Sequence, residues 1–126
     1  MNREHTPVPK ILIVDDDRST STLLRTLFEI EGFVGVVCPK PEDVLNTARR
    51  EKPDVVLMDV HLAEGDSFHI LRAMRGDREL RAVPVVMTSG LVVREKCEAS
   101  GASAFMQKPF KPSELVALIK RQLTPA

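Results

Sequence analysis

The sequence predicts a doubly wound α/β fold: a five-stranded parallel sheet with five helices over its two faces, a three-layer sandwich. Three observations carry that expectation. Four short runs are apolar throughout, as strands buried on both faces are: Ile11-Leu12-Ile13-Val14, Val55-Val56-Leu57-Met58, Val85-Val86-Met87 and Ala104-Phe105-Met106. Segments of helical spacing separate them, and strands that alternate with helices close into parallel sheets through right-handed crossovers. Polar residues collect just past the apolar runs, where open sheets of this kind place their ligand crevice.

Taken in order, the first run ends in Asp15, Asp16 and Asp17. From Arg18 the spacing of Leu23, Leu24, Leu27 and Phe28 predicts one inward helical face, with an aspartate before Arg18 as its cap and Gly32 as its stop. Residues 33–37 form the second strand. Pro39 and Pro41 then open a helix with Glu42 and Asp43 in its first turn and Val44, Leu45 and Ala48 inward. Pro53 closes it before the third strand, whose four hydrophobes lead into Asp59. A loop over 61–66 follows, then a helix marked by Phe68, Leu71 and Met74. Pro84 opens the fourth strand, which ends in Thr88, Ser89 and Gly90. Val92, Val93 and Cys97 mark a helix ending at Gly101, and the fifth strand ends in Gln107, Lys108 and Pro109. Pro112 starts a last helix with Leu115, Leu118, Ile119 and Leu123 inward.

A chain of 126 residues suits one core without staples, so residues 10–124 are expected to fold as one domain behind a loose leader over 1–9. That leader is polar and is expected to be neither signal peptide nor membrane anchor. Basic and acidic residues balance at 18 each, which argues against nucleic-acid binding driven by bulk charge. Cys38 and Cys97 lack a metal-type spacing and read as buried thiols of an intracellular, cytoplasmic protein. His5 and His69 read as surface residues. The last helix ends close to the final residue, so the chain is expected to act by docking on other proteins or to be cut from a longer one.

The polar residues at the strand ends suggest a chemistry. An ionised carboxylate buried alone is costly, so Asp59 needs solvent, a proton or a cation. If Asp15, Asp16 and Asp59 stood within about 5 Å of one another, each pair would repel by roughly 3 kcal/mol at an effective dielectric near 20. Magnesium relieves such repulsion with oxygen ligands, and no histidine-cysteine cluster favours zinc. Lys108 offers a compact positive charge and Ser89 a hydroxyl, and together these groups describe a clamp for a phosphoryl group. Singly, each has an ordinary reading: an N-cap and solvated loop, a turn serine, a strand-end lysine, and for Phe105 a core aromatic.

The segments ILIVDDD, VVLMD, VVMTSG and KPF, in this order and spacing, resemble the receiver domain of two-component response regulators, from Lys10 to Leu123. The resemblance implies a flavodoxin-like fold and a signalling domain that accepts a phosphoryl group, not an enzyme with external substrates. It implies Asp59 as phosphoacceptor and Asp15 and Asp16, with Asp59 and the backbone carbonyl of His61, as the Mg2+ site. Ser89 takes the place of the switch hydroxyl, Lys108 of the phosphate-contacting lysine and Phe105 of the aromatic switch, which would turn inward on phosphorylation. The implied partners are a sensor histidine kinase or phosphotransfer protein and a downstream protein target, with no direct nucleic acid and no membrane. A homodimer formed on phosphorylation stays open.

The chain departs from the family pattern at Ala63 and at Asp66-Ser67, where most members have a proline and an aspartate-glycine pair, and a looser loop is expected. Phe105 lacks the hydroxyl of the commoner tyrosine, so its switch would work by packing alone. Leu91, two residues past Ser89, cannot orient a hydrolytic water, which implies a long-lived phosphorylated form. Two rival readings compete. Asp15-x-Asp17-x-Ser19 resembles the opening motif of haloacid-dehalogenase-like phosphatases, with Asp15 as nucleophile, but leaves Asp59 without a role. A receiver-like interaction module that never takes phosphate would not need all five polar positions.

Overall fold

The computed structural model describes residues 8–62 and 65–124. Five strands form one parallel sheet: β1 Lys10–Val14, β2 Val34–Cys38, β3 Val55–Asp59, β4 Val85–Ser89 and β5 Ala104–Gln107, in the order β2-β1-β3-β4-β5. The helices are α1 Arg18–Ile30, α2 Val44–Glu51, α3 Phe68–Arg75, α4 Arg94–Ala99 and α5 Pro112–Leu123. From β1 the chain first steps outward to β2 and then returns past β1 to β3, so strand order reverses between β1 and β3. Register pairs Val14 with Met58 and Asp59 with Thr88, which brings the ends of β1, β3 and β4 level. Most of the leader expected over 1–9, and Ala63, lie outside the described residues.

Two apolar layers flank the sheet because alternate side chains of each strand point to opposite faces. Leu12, Val14, Val56, Met58, Val85 and Met87 pack with Phe68, Leu71, Met74 and Cys97 on one face. Ile11, Ile13, Val55, Leu57 and Val86 pack with Phe28, Leu115 and Ile119 on the other. Each such fully buried large side chain stabilises by about 1.5–3 kcal/mol relative to exposure. Cys38 and Cys97 are buried and unpaired, and burial pushes both thiols up from their ordinary range. His69 is exposed, as expected.

Helix ends follow local chemistry. Asp17 caps α1 by accepting from the Ser19 amide at 3.3 Å and from Thr20 Oγ1 at 2.6 Å. Gly32, at φ +91, stops the helix in the left-handed region that favours glycine. At α5, Pro112 sits at the first turn and Glu114 accepts from the Lys111 amide at 3.2 Å. Lys120 to Glu31, at 3.4 Å, ties this helix to α1.

Several boundaries and faces differ from the sequence expectation. Leu23 is 70% exposed, because Ser21 and Phe28 define the buried line of α1 while Leu24 and Leu27 lie only partly covered beside it. The second strand begins at Val34 and ends at Cys38. Pro41 opens a 3-10 turn over Pro41–Asp43 before α2, so its acids precede the helix proper. Val92 is 82% exposed and precedes α4, which starts at Arg94 and buries only Cys97. The loop after β3 contains a small antiparallel ribbon, His61–Leu62 against Gly65–Asp66.

Between α3 and β4 the chain is irregular, and Arg75 stitches it down. Its guanidinium donates to the Gly101 carbonyl at 2.8 Å, Val83 at 2.8 Å and Arg81 at 3.2 Å. A guanidinium fork suits such divergent acceptors. Among the described residues no helix is long and apolar enough to cross a membrane.

Candidate functional site

The reversal of strand order leaves a crevice over the ends of β1 and β3, and the polar strand ends surround it. Asp15, the first residue past β1, is 5% exposed, and its Oδ1 accepts from the Asp17 amide at 2.9 Å. Its carbonyl accepts from the Ser21 hydroxyl at 3.0 Å, which pins the turn between β1 and α1. Asp59, the last residue of β3, accepts from Lys108 Nζ at 3.0 Å on Oδ2 and from the His61 amide at 3.1 Å on Oδ1. Lys108 reaches it from the chain just past β5, where its own amide donates to the Ser89 carbonyl at 2.8 Å. Asp15, Asp59, Thr88 and Lys108 line one small recess with Thr20 and Phe110. Asp15 and Asp16 also border a wider cleft of about 500 Å³ with Arg18 and Arg25.

Electrostatics couple these groups. Burial raises the Asp15 carboxyl above its ordinary range, and the negative charges of Asp59 and Asp16 raise it further. The Asp17 amide and the Lys108 ammonium act in the opposite sense without cancelling the rise. Burial first, and the neighbouring carboxylates after it, thus disfavour a bare negative charge at Asp15.

Not every expected group meets the others. Among the described residues no three acidic, histidine or cysteine side chains are gathered closely enough to hold a metal by themselves. Asp59 and Asp16 nonetheless act on the Asp15 carboxyl through their negative charges. Lys108 is bonded to Asp59, the Asp17 amide to Asp15, and Asp16 is exposed. His61 is exposed, with its amide on Asp59. Ser89 is fully buried, and its hydroxyl accepts from the Leu91 amide at 3.0 Å. Phe105 is already buried, 4% exposed, with the Arg94 guanidinium 5.4 Å from its ring centroid. An outward ring awaiting a signal is therefore not the state seen.

Ser67 was missed. Where a looser loop was expected, the serine that replaces glycine is fully buried and donates to the Asp59 carbonyl at 2.7 Å. The signal was a small hydroxyl residue at a helix start, which reads from sequence as an N-cap. Thr88, buried and paired in register with Asp59, was seen only as a polar strand end.

The family model for the response regulator receiver domain matches residues 11–120. The polar-differentiation response regulator DivK of Brucella anthropi is 28% identical over 120 residues, covering 92% of this chain and 98% of DivK. The DNA-binding response regulator MtrA of Mycobacterium tuberculosis is 36% identical over 118 residues, 90% of this chain; the chain spans only 50% of MtrA. Among solved structures, a putative response regulator from Chloroflexus aurantiacus superposes with a TM-score of 0.87 at 26% identity, covering 93% of this chain and 98% of that one. The receiver domain of the sensor histidine kinase PA1611 from Pseudomonas aeruginosa, with a magnesium ion coordinated in its active site cleft, gives 0.83 at 26% identity over 93% and 98%. Neither the phosphatase reading nor the phosphate-independent module is favoured by these likenesses. A five-stranded doubly wound sheet, an acid pair facing a lysine over its switch point and a family match across nearly the whole sheet lead to one conclusion: the chain belongs to the response regulator receiver family and is a phosphorelay receiver.

Proposed function

We propose that Asp59 is the phosphoacceptor of this receiver, within a unit spanning residues 10–124. The observation that carries the reading is the Lys108 ammonium at 3.0 Å from Asp59 Oδ2, beside the buried Asp15. In the reaction, a carboxylate oxygen of Asp59 attacks the phosphorus of a partner's phosphohistidine. The P–N bond breaks, its electron pair leaves with the imidazole nitrogen, which takes a proton, and an acyl phosphate remains on Asp59. Lys108 would hold negative oxygen on the transferred group, and phosphoryl transfer depends largely on such positioning and charge.

The residues present fit magnesium. Asp15 is buried, and its neighbours Asp59 and Asp16 make its ionisation unfavourable, a condition that a cation relieves. Asp15, Asp16 and Asp59 with the His61 carbonyl form an all-oxygen donor set, and magnesium keeps several waters instead of demanding a complete protein cage. When bound, Mg2+ would supply charge stabilisation for the transferring oxygens. Asp15 and Asp16 would hold it together with Asp59, and Lys108 would keep its contact with the acceptor.

Ser89 would exchange its present contact with Leu91 for an oxygen of the acyl phosphate. Because Phe105 is already inside, the ring would be held there more firmly, and the change would pass to α4 through Arg94. The partners of this reading are a histidine kinase or phosphotransfer protein and a downstream protein, in the cytoplasm, where unpaired Cys38 and Cys97 persist. The domain catalyses only its own phosphorylation and dephosphorylation. Incubation with a small phosphodonor and Mg2+, read by intact mass, tests the assignment: wild type gains one phosphoryl group and Asp59→Asn none. Equal gain by both would refute it.

A further inference from the structure

We propose that Ser67 is a positioning residue for phosphoryl acceptance: its buried hydroxyl holds the main chain at Asp59 and so sets how the loop after β3 presents the His61 carbonyl. The inference rests on the reading of Asp59 given above. Ser67 has no exposed surface, and its hydroxyl donates to the Asp59 carbonyl at 2.7 Å, with a longer contact to the Val60 carbonyl at 3.3 Å. Its amide donates to the Val60 carbonyl at 2.9 Å, and its carbonyl accepts from Ile70 and Leu71, both at 3.1 Å. One residue thereby fastens the end of β3 to the first turn of α3.

The bonding pattern separates this from ordinary helix capping. A serine at an N-cap accepts from an amide of the first turn, yet Ser67 makes no side-chain cap bond to α3. Its hydroxyl is turned back to the acceptor residue instead. Between the two anchor points the chain runs out and returns as the small ribbon, with His61 paired to Asp66 and Leu62 to Gly65. The His61 amide in turn donates to Asp59 Oδ1. Asp59 is thus held by its main chain from Ser67 and by its side chain from the loop that Ser67 closes. A glycine at position 67 has no group that could make the first of these contacts.

Groups that orient metal-binding groups without touching the metal change affinity or activity by about 10–100-fold, and Ser67→Ala is expected at the lower end, about tenfold. Two readouts apply at a temperature where circular dichroism shows every variant folded. The Mg2+ concentration that half-saturates phosphorylation rises in Ser67→Ala, and an amide NMR titration of the unphosphorylated protein with Mg2+ shows the same factor at Asp59 and His61. Ser67→Thr, which keeps the donor, recovers the wild-type value. Unchanged Mg2+ affinity in Ser67→Ala, with only a lower melting temperature, overturns the proposal. So does equal loss in Ser67→Ala and Ser67→Thr, which would assign the effect to volume. Should Ser67→Ala not fold, Ser67→Gly carries the same comparison. Failure of Asp59 to take phosphate appears in the mass of wild type, whereas failure of the Ser67 inference appears in the titration alone.

Discussion

Replacing Lys108 by methionine, which keeps the length of the side chain and removes its charge, tests the electrostatics of the site most directly. At 3.0 Å the Lys108–Asp59 attraction is about 5–6 kcal/mol at an effective dielectric near 20, before desolvation is counted. Asp59 is 13% and Lys108 35% exposed, so solvent screens the pair from the lysine side. The net coupling should then fall between an exposed pair and a buried one, at about 1–2 kcal/mol. The assay is a double-mutant cycle in urea without Mg2+, using Lys108→Met, Asp59→Asn and both together. Lys108→Met alone should destabilise by more than the coupling, because the ammonium also faces the charge of Asp15. In the Asp59→Asn background the loss should shrink but not vanish, and added salt should narrow the difference. If Lys108→Met costs the same in both backgrounds, the two charges are not coupled in solution.

Three further outcomes are expected. Asp15 has a folded pKa raised above its unfolded value, so the fold holds that proton more tightly than the unfolded chain, and stability from this group falls as pH rises through the interval between the two. Asp15→Asn should therefore raise the unfolding free energy at neutral pH without Mg2+, with no gain below the unfolded pKa. Equal gain at both pH values in chemical denaturation would refute this account, and the variant should also lose most of its stabilisation by Mg2+. Arg75→Ala should destabilise by about 2–4 kcal/mol, since the carbonyls of Gly101 and Val83 lose their donors, and Arg75→Lys should recover little of it because one ammonium cannot span both. Full recovery by lysine in urea unfolding would show that charge or bulk, not the fork, matters there. Leu91 is 58% exposed and offers no group to orient water, so Leu91→Glu should shorten the lifetime of the acyl phosphate by roughly tenfold in a decay assay. An unchanged lifetime would remove that role for the position.

The strands were legible because complete burial leaves little choice of residue: β1, β3 and β4 are apolar along nearly their whole length, and a carboxylate or hydroxyl appears only where each strand reaches the crevice. The helix faces were less legible. Leu23 fits the helical period as well as Phe28 does, but the rotation of α1 against the sheet leaves one exposed and the other buried. Val92 was read as a helical residue, although the α4 turn begins only at Arg94. A periodic pattern gives the existence of a helix and not its angle about its own axis, since that angle depends on packing with distant strands.

For the site, sequence alone determined which chemical groups stand at the strand ends: Asp15, Asp16, Asp59, Ser89 and Lys108 follow from the positions at which the apolar runs stop. Tertiary structure decided how those groups divide among partners. Lys108 lies on Asp59, Asp16 stays exposed, Phe105 is already inside, and Ser67 reaches back across the loop to the Asp59 carbonyl. The physical reason is range. Burial and backbone preference act residue by residue and leave their mark on the sequence, whereas a hydrogen bond or ion pair at about 3 Å depends on the placement of chain segments far apart along it.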